Sequence, residues 1–148
     1  MAKTRSFDDV VVGETTTHGA YTVTEAEIIE FAERYDPQPF HVDPESAMET
    51  QFGGLIASGW HTVSIGQRLF VEAVLGDLAA EGSPGVENLQ FRNPLRPGAT
   101  VSLRITVTEK RPLESRPELG LVTFEETVRD EDGTDLISMD VHVFVKRD

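Results

Sequence analysis

The sequence predicts an α+β fold in which an antiparallel sheet wraps one long, apolar helix. Three observations predict it. Apolar residues recur with helical spacing up to about residue 78, and with a period of two from Val86 onward. Helices and strands are segregated along the chain rather than alternating, which favours an antiparallel sheet. The stretch from Ser58 to about Leu78 carries apolar residues on nearly every side, the pattern of a helix buried on nearly every side.

The elements follow in order. Residues 1–13 form a mixed lead-in ending at Gly13, and the Thr-rich run Thr15–Val23 reads as a strand. Thr24-Glu25-Ala26-Glu27 has the form of a capping box, with the Thr hydroxyl on the N3 amide and Glu27 reaching back. Ile28, Phe31, Ala32 and Tyr35 then follow at helical spacing, and the helix stops at Asp36 because Pro37 disfavours helix in the residue before it. Asp36–His41 is a loop stiffened by Pro37 and Pro39. Asp43 before Pro44 caps a short helix over about Pro44–Thr50, ended by Gly53-Gly54. Ser58-Gly59 opens the long helix, lined by Val63, Leu69, Phe70, Ala73, Val74 and Leu78. Gly76–Gly85 is a loop. Four strands complete the chain: Val86–Asn93, the alternating Val101, Leu103, Ile105 and Val107, Leu121–Asp130, and Leu136–Val145. Arg111–Gly120 and the Asp-Gly turn in Glu131–Thr134 connect them.

The 148 residues suit a single domain spanning 1–148, large enough to bury roughly 68–70% of its unfolded surface. There is no cysteine, which excludes disulfides, thiol nucleophiles and cysteine-held zinc. Against 13 basic residues stand 26 acidic ones, a net charge of −13. Such a chain is a poor ligand for nucleic acid or an anionic membrane. No apolar run approaches the length of about 18 residues needed to span a bilayer, no leader-type apolar segment follows Met1–Arg5, and the expected compartment is the cytoplasm. One sheet of its own chain hides only one side of an apolar helix, so a homodimer is expected.

Chemistry narrows to two segments. Of four histidines, His18 and His142 sit in strand patterns, and no pair has metal-ligand spacing, so no metal site is expected. No Gly-x-Ser-x-Gly elbow or phosphate loop occurs. His41 lies five residues after Asp36 on the proline-stiffened loop, where a carboxylate and an imidazole can share one water. The same spacing also fits a plain helix stop with a loop-bonded histidine. The second segment is Ser58-Gly59-Trp60-His61, where free N–H groups and the positive end of the helix dipole gather. Such a place stabilises an oxyanion, and Gly59 lets a carbonyl approach closely. A serine cap with a packing glycine is the plainer reading, and the two are compatible.

Tyr35-Asp36-Pro37-Gln38-Pro39-Phe40-His41-Val42-Asp43-Pro44 resembles the hydratase motif of the MaoC-like dehydratases, the (R)-specific enoyl-CoA hydratases. Leu55–His61 resembles that family's opening of its central helix, and Phe91–Gly98 is similar to its later strand–loop segment. The likeness spans most of the chain in the right order. Gln38 departs from the family's Asn, keeping the amide and adding one methylene.

The resemblance implies a hotdog fold and a homodimer with active sites near the subunit interface. It implies hydration of trans-2-enoyl-CoA to (R)-3-hydroxyacyl-CoA. Asp36 then takes the proton from water, His41 holds that water and delivers a proton to C2, and the Gly59 N–H binds the thioester oxygen. Gln38 and Ser58 are carried over as substrate-binding positions. No separate cofactor is implied, since coenzyme A is part of the substrate. The basic residues Arg92 and Arg96, with Lys110 and Arg111, are candidates to meet its phosphates, and Phe52, Trp60 and Val63 to line the acyl pocket. Thiol release would mark the alternative, a hotdog acyl-CoA thioesterase. A non-catalytic acyl-thioester binding module, or a structural dimerisation module, are the others.

Overall fold

The computed structural model describes residues 4–148, so the first three residues of the lead-in lie outside the described residues. Eleven-residue α1 (Glu25–Tyr35) follows β1 (Thr15–Thr22). Two short helices come next, α2 (Pro39–Val42) and α3 (Pro44–Met48), then the central α4 (Gly59–Ala73). The strands β2 (Gly85–Phe91), β3 (Thr100–Pro112), β4 (Leu119–Arg129) and β5 (Asp135–Lys146) complete the fold. They form one antiparallel sheet in the order β1-β3-β4-β5-β2, wrapped around α4. This is the hotdog arrangement.

The alternation read in the last strands sets which face is covered. Leu103, Ile105 and Val107 on β3, Val122, Phe124 and Val128 on β4, and Ile137, Met139, Val141, Val143 and Val145 on β5 are all buried. From α4, Ile65, Leu69 and Phe70 pack onto them, each burial contributing about 2 kcal/mol. The Phe70 and Phe124 rings meet edge to face with centroids 5.0 Å apart. Gly66 brings helix and sheet together: a Cβ there would stand 3.0 Å from a Val128 methyl.

Several boundaries differ from the sequence reading. The proline-fixed loop contains the helical turn α2, because Pro39 at the first position presets its backbone. The central helix ends at Ala73 rather than Leu78, where Val74 leaves helical geometry and a single 3-10 turn covers Leu75–Asp77. Gly76 packs so closely on the Val71 carbonyl that a Cβ would lie 2.9 Å from it. The helix is also not buried all round. Trp60 is 56% exposed and Val71 44%, and with Val86 and Phe91 on the edge strand β2 they leave apolar surface open. The β3–β4 connection shrinks to residues 113–118, both strands being longer than their apolar cores. Thr24 accepts from the Glu27 amide at 3.1 Å as expected, but Glu27 does not reach back to complete the box. Its carboxylate is held elsewhere, by Tyr21 and His61.

Candidate active site

The end of α1 and the start of α4 meet at Asp36. This residue is the C-cap of α1, its amide still bonded to the Ala32 carbonyl. Ser58, wholly buried, is the N-cap of α4: its hydroxyl oxygen accepts from the Trp60 amide at 3.2 Å. The same hydroxyl donates to Asp36 Oδ2 at 2.7 Å, while Gln38 Nε2 donates to Oδ1 at 2.7 Å. Partial burial pushes the Asp36 carboxyl up, but the bonds from Gln38 and Ser58 and the neighbouring His41 together hold it below its ordinary value.

His41, on α2, is 5% exposed. Its Nδ1 lies 2.7 Å from the Ile56 carbonyl, so this nitrogen carries the proton and donates it. That carbonyl is fixed in turn: the Ile56 amide bonds to Phe40 O at 3.1 Å and the Ala57 amide to Leu95 O at 2.9 Å. In the neutral ring, Nε2 therefore presents a lone pair, and it stands 3.4 Å from Asp36 Oδ2. Two acceptors facing each other at this distance suit a donor with two hydrogens placed between them.

A cleft of about 310 Å³ opens beside this pair. His41, Gly59, Thr62, Phe52, Phe91 and Ile137 are among its walls. The Gly59 N–H, in the first turn of α4, has no hydrogen-bond acceptor among the described residues. The Phe91 ring lies directly over Gly59, so close that a Cβ would be 2.6 Å from it. His41 and Gly59 thus share one cavity, and Asp36 joins them through His41 rather than as part of the wall.

The remaining expected residues divide. Gln38 and Ser58 both bind the Asp36 carboxylate, and neither belongs to the cleft wall. Arg92 does line the cleft, with its Nε donating to Ser138 Oγ at 2.7 Å. Arg96 borders the neighbouring hollow, whose rim holds Asp130, Glu131 and Asp132. Lys110 and Arg111 do not join them. They stand at the far end of β3, roughly 30 Å along the strand from Thr100, and Lys110 is spent on Phe7, whose carbonyl and ring it meets. Phe52 lines the cleft, tilted against Phe40 with ring centroids 5.5 Å apart, whereas Val63 lines a separate groove and Trp60 packs outside on Phe91. His18 and His142 pair with Glu72 and Glu87, away from the cleft.

Three features escaped sequence reasoning: the Ile56 carbonyl that sets the His41 tautomer, the Ser58–Asp36 bond, and the pairing of His61 with Glu27. The first is a backbone group and leaves no residue-type signal. The others involve residues whose capping roles already accounted for them.

The sequence model of a family described as a MaoC-like domain matches residues 8–129. The chain is 36% identical over 124 residues to the (R)-specific enoyl-CoA hydratase of Rhodospirillum rubrum, covering 82% of this chain and 78% of that protein. It is 32% identical over 117 residues to the 3-hydroxybutyryl-CoA dehydratase of Methylorubrum extorquens, covering 77% and 71%. The crystal structure of the MaoC-like dehydratase from Rhodospirillum rubrum superposes with a TM-score of 0.89 at 36% identity, over 97% of each chain.

Proposed function

The chain belongs to the MaoC-like domain family, and on that premise we propose that it hydrates trans-2-enoyl-CoA to (R)-3-hydroxyacyl-CoA, reversibly. One observation carries the reading. A lone-pair nitrogen of His41 and a carboxylate oxygen of Asp36 lie 3.4 Å apart, and His41 shares a cleft with the unpaired amide of Gly59.

Water donates one hydrogen to His41 Nε2 and one to Asp36 Oδ2. Its oxygen adds to C3 as Nε2 takes a proton, and the C2–C3 π electrons move onto the thioester oxygen. The Gly59 N–H stabilises that oxygen, a fixed donor where charge develops. The imidazolium, facing the Asp36 carboxylate, then returns its proton to C2 as the carbonyl re-forms. This division of labour differs from the sequence expectation. Both Asp36 oxygens already accept hydrogen bonds and the carboxyl is held low, so Asp36 is a weak base and a good counter-charge. The (R) outcome is taken from the similar Rhodospirillum enzyme. Arg92 lines the cleft, which supports it as the cation that meets a coenzyme A phosphate in this reading, with Arg96 nearer the adjoining hollow. A second copy of the chain covers the open apolar side chains of α4 and β2 in this reading, giving a homodimer.

The test is incubation with crotonyl-CoA and a panel of longer and branched enoyl-CoAs, following loss of the enoyl-thioester absorbance and assigning product chirality. Hydration gives that loss with no free thiol. Thiol release instead, or ligand binding without turnover, would replace the proposal by the thioesterase or the binding module.

A further inference from the structure

A second polar cluster lies one turn from the site. His61, in the first turn of α4, is 3% exposed. Its Nε2 is 2.8 Å from Glu27 Oε2, in the first turn of α1, and the Tyr21 hydroxyl donates to the same oxygen at 2.8 Å. The Phe31 ring, also on α1, stacks on the imidazole with centroids 4.6 Å apart and planes within 8°. His61 Nδ1 is buried and has no hydrogen-bond partner. The lone partner at Nε2 is a carboxylate, so Nε2 carries the proton and the whole ring is oriented by Glu27. A side chain that only filled this space would be apolar and would leave no orphan atom.

What the cluster joins is specific. The helix that carries Glu27 and Phe31 ends at Asp36, and the helix that carries His61 begins at Gly59. We infer that His61 is a positioning residue: clamped by Glu27 and Phe31, it sets the start of the central helix against the first helix, and so fixes the Gly59 amide relative to the Asp36–His41 pair. It does not itself line the cleft. The inference rests on the proposed hydration for its kinetic form, but its geometric content stands apart from it.

The experiment compares wild type, His61→Phe, His61→Gln and Glu27→Ala in the full chain. Phe keeps the stack and loses the N–H, whereas Gln keeps an N–H at similar reach. His61→Phe is expected to lower kcat on an enoyl-CoA by about 10–10²-fold with KM within about twofold, as misplacement of about 1 Å does. His61→Gln is expected to recover most of it. Glu27→Ala, on the more exposed partner, supplies the same comparison if His61→Phe does not fold. A purely structural role predicts lowered thermal stability with kcat intact, and a failure of Gln to rescue would equally overturn the inference. The ring-nitrogen NMR spectrum of His41 reads the geometry without turnover. It is expected to shift in Glu27→Ala, and an unchanged spectrum would sink the inference even if hydration is established. A wild type inactive on every enoyl thioester would sink the functional reading while leaving this spectrum to decide the positioning role.

Discussion

The hydroxyl of Ser58 donates to Oδ2 of Asp36 across 2.7 Å while its oxygen receives the Trp60 amide at 3.2 Å. One buried side chain thereby caps the central helix and orients the carboxylate that ends the first. Oδ2 is also the oxygen 3.4 Å from His41 Nε2. Capping, usually a local stabilising device, here carries the register of the site: the helix start cannot shift without moving the carboxylate.

Ser58→Ala is expected to raise the Asp36 pKa toward its ordinary value, by removing one of the two donated bonds that offset its burial. A carboxyl held low in the folded state stabilises the fold above its unfolded pKa, and that stability is lost as pH falls through the folded value. The variant should lose about 2 kcal/mol at neutral pH, from the cap and the charge-assisted bond together, and should show a smaller further loss on acidification. Carboxyl-carbon NMR titration of Asp36 and chemical denaturation at pH 7 and pH 3 check this. An unmoved titration would mean that Gln38 alone holds the carboxylate.

Asp36→Asn and His41→Ala are expected to cut turnover by about 10²–10⁴-fold with the fold retained. Asn preserves shape and an acceptor for Ser58; it loses the charge opposite His41 and also the acceptor for Gln38, whose amide must turn its oxygen inward to pair again. His41→Ala leaves the Ile56 carbonyl without its donor and should cost about 1–3 kcal/mol of stability as well. Steady-state kinetics alongside circular dichroism separates the two effects. Near-native turnover in either folded variant would reject the acid–base pair.

How much of this was legible in the sequence depends on the kind of signal. The strands β3, β4 and β5 show their buried faces by alternation, and Thr24, Asp43 and Ser58 announce helix starts by their caps. Asp36, His41 and Gly59 were visible because a proline-stiffened loop and a glycine at a helix start are local patterns. What stayed hidden was pairwise. That Glu27 turns to His61 rather than back to Thr24, or that Lys110 is engaged by Phe7, depends on which elements become neighbours. The outward face of α4 was misjudged for a related reason: composition records apolarity, and Trp60 is apolar whether or not its own chain covers it.

Gly59→Ala should tell amide chemistry from simple packing. The new methyl meets the Phe91 ring, the end of a half-exposed side chain that can turn away only by giving up its edge-to-face contact with Trp60, so stability should fall modestly. The displaced ring narrows the cleft, and kcat/KM should fall by about tenfold or more. Adding Phe91→Ala should restore much of the loss, because the N–H itself is still in place. Failure of the second change to restore activity would assign the defect to the helix start rather than to the ring.

Glu126 is a carboxylic acid in the wrong place for a core. It points inward from β4 between Phe124 and Val128, is 1% exposed, and neither oxygen has a hydrogen-bond partner. Burial pushes its pKa up to about 8, against 4.5 for the unperturbed group. With the folded value raised, there is no ionisation penalty below about pH 4.5, where both states hold the proton. Stability then falls as pH rises, reaching a plateau above about pH 8. At pH 7 the penalty is about 3 kcal/mol. Glu126→Met, similar in volume and apolar, should exceed wild type by about 1–3 kcal/mol already at pH 4, where the neutral acid still buries two unpartnered oxygens, widen that margin at pH 7 by the ionisation penalty, and remove the decline between. Denaturant unfolding at pH 4, 7 and 9 measures all three, and equal slopes with pH in the two proteins would show that Glu126 finds a partner in solution.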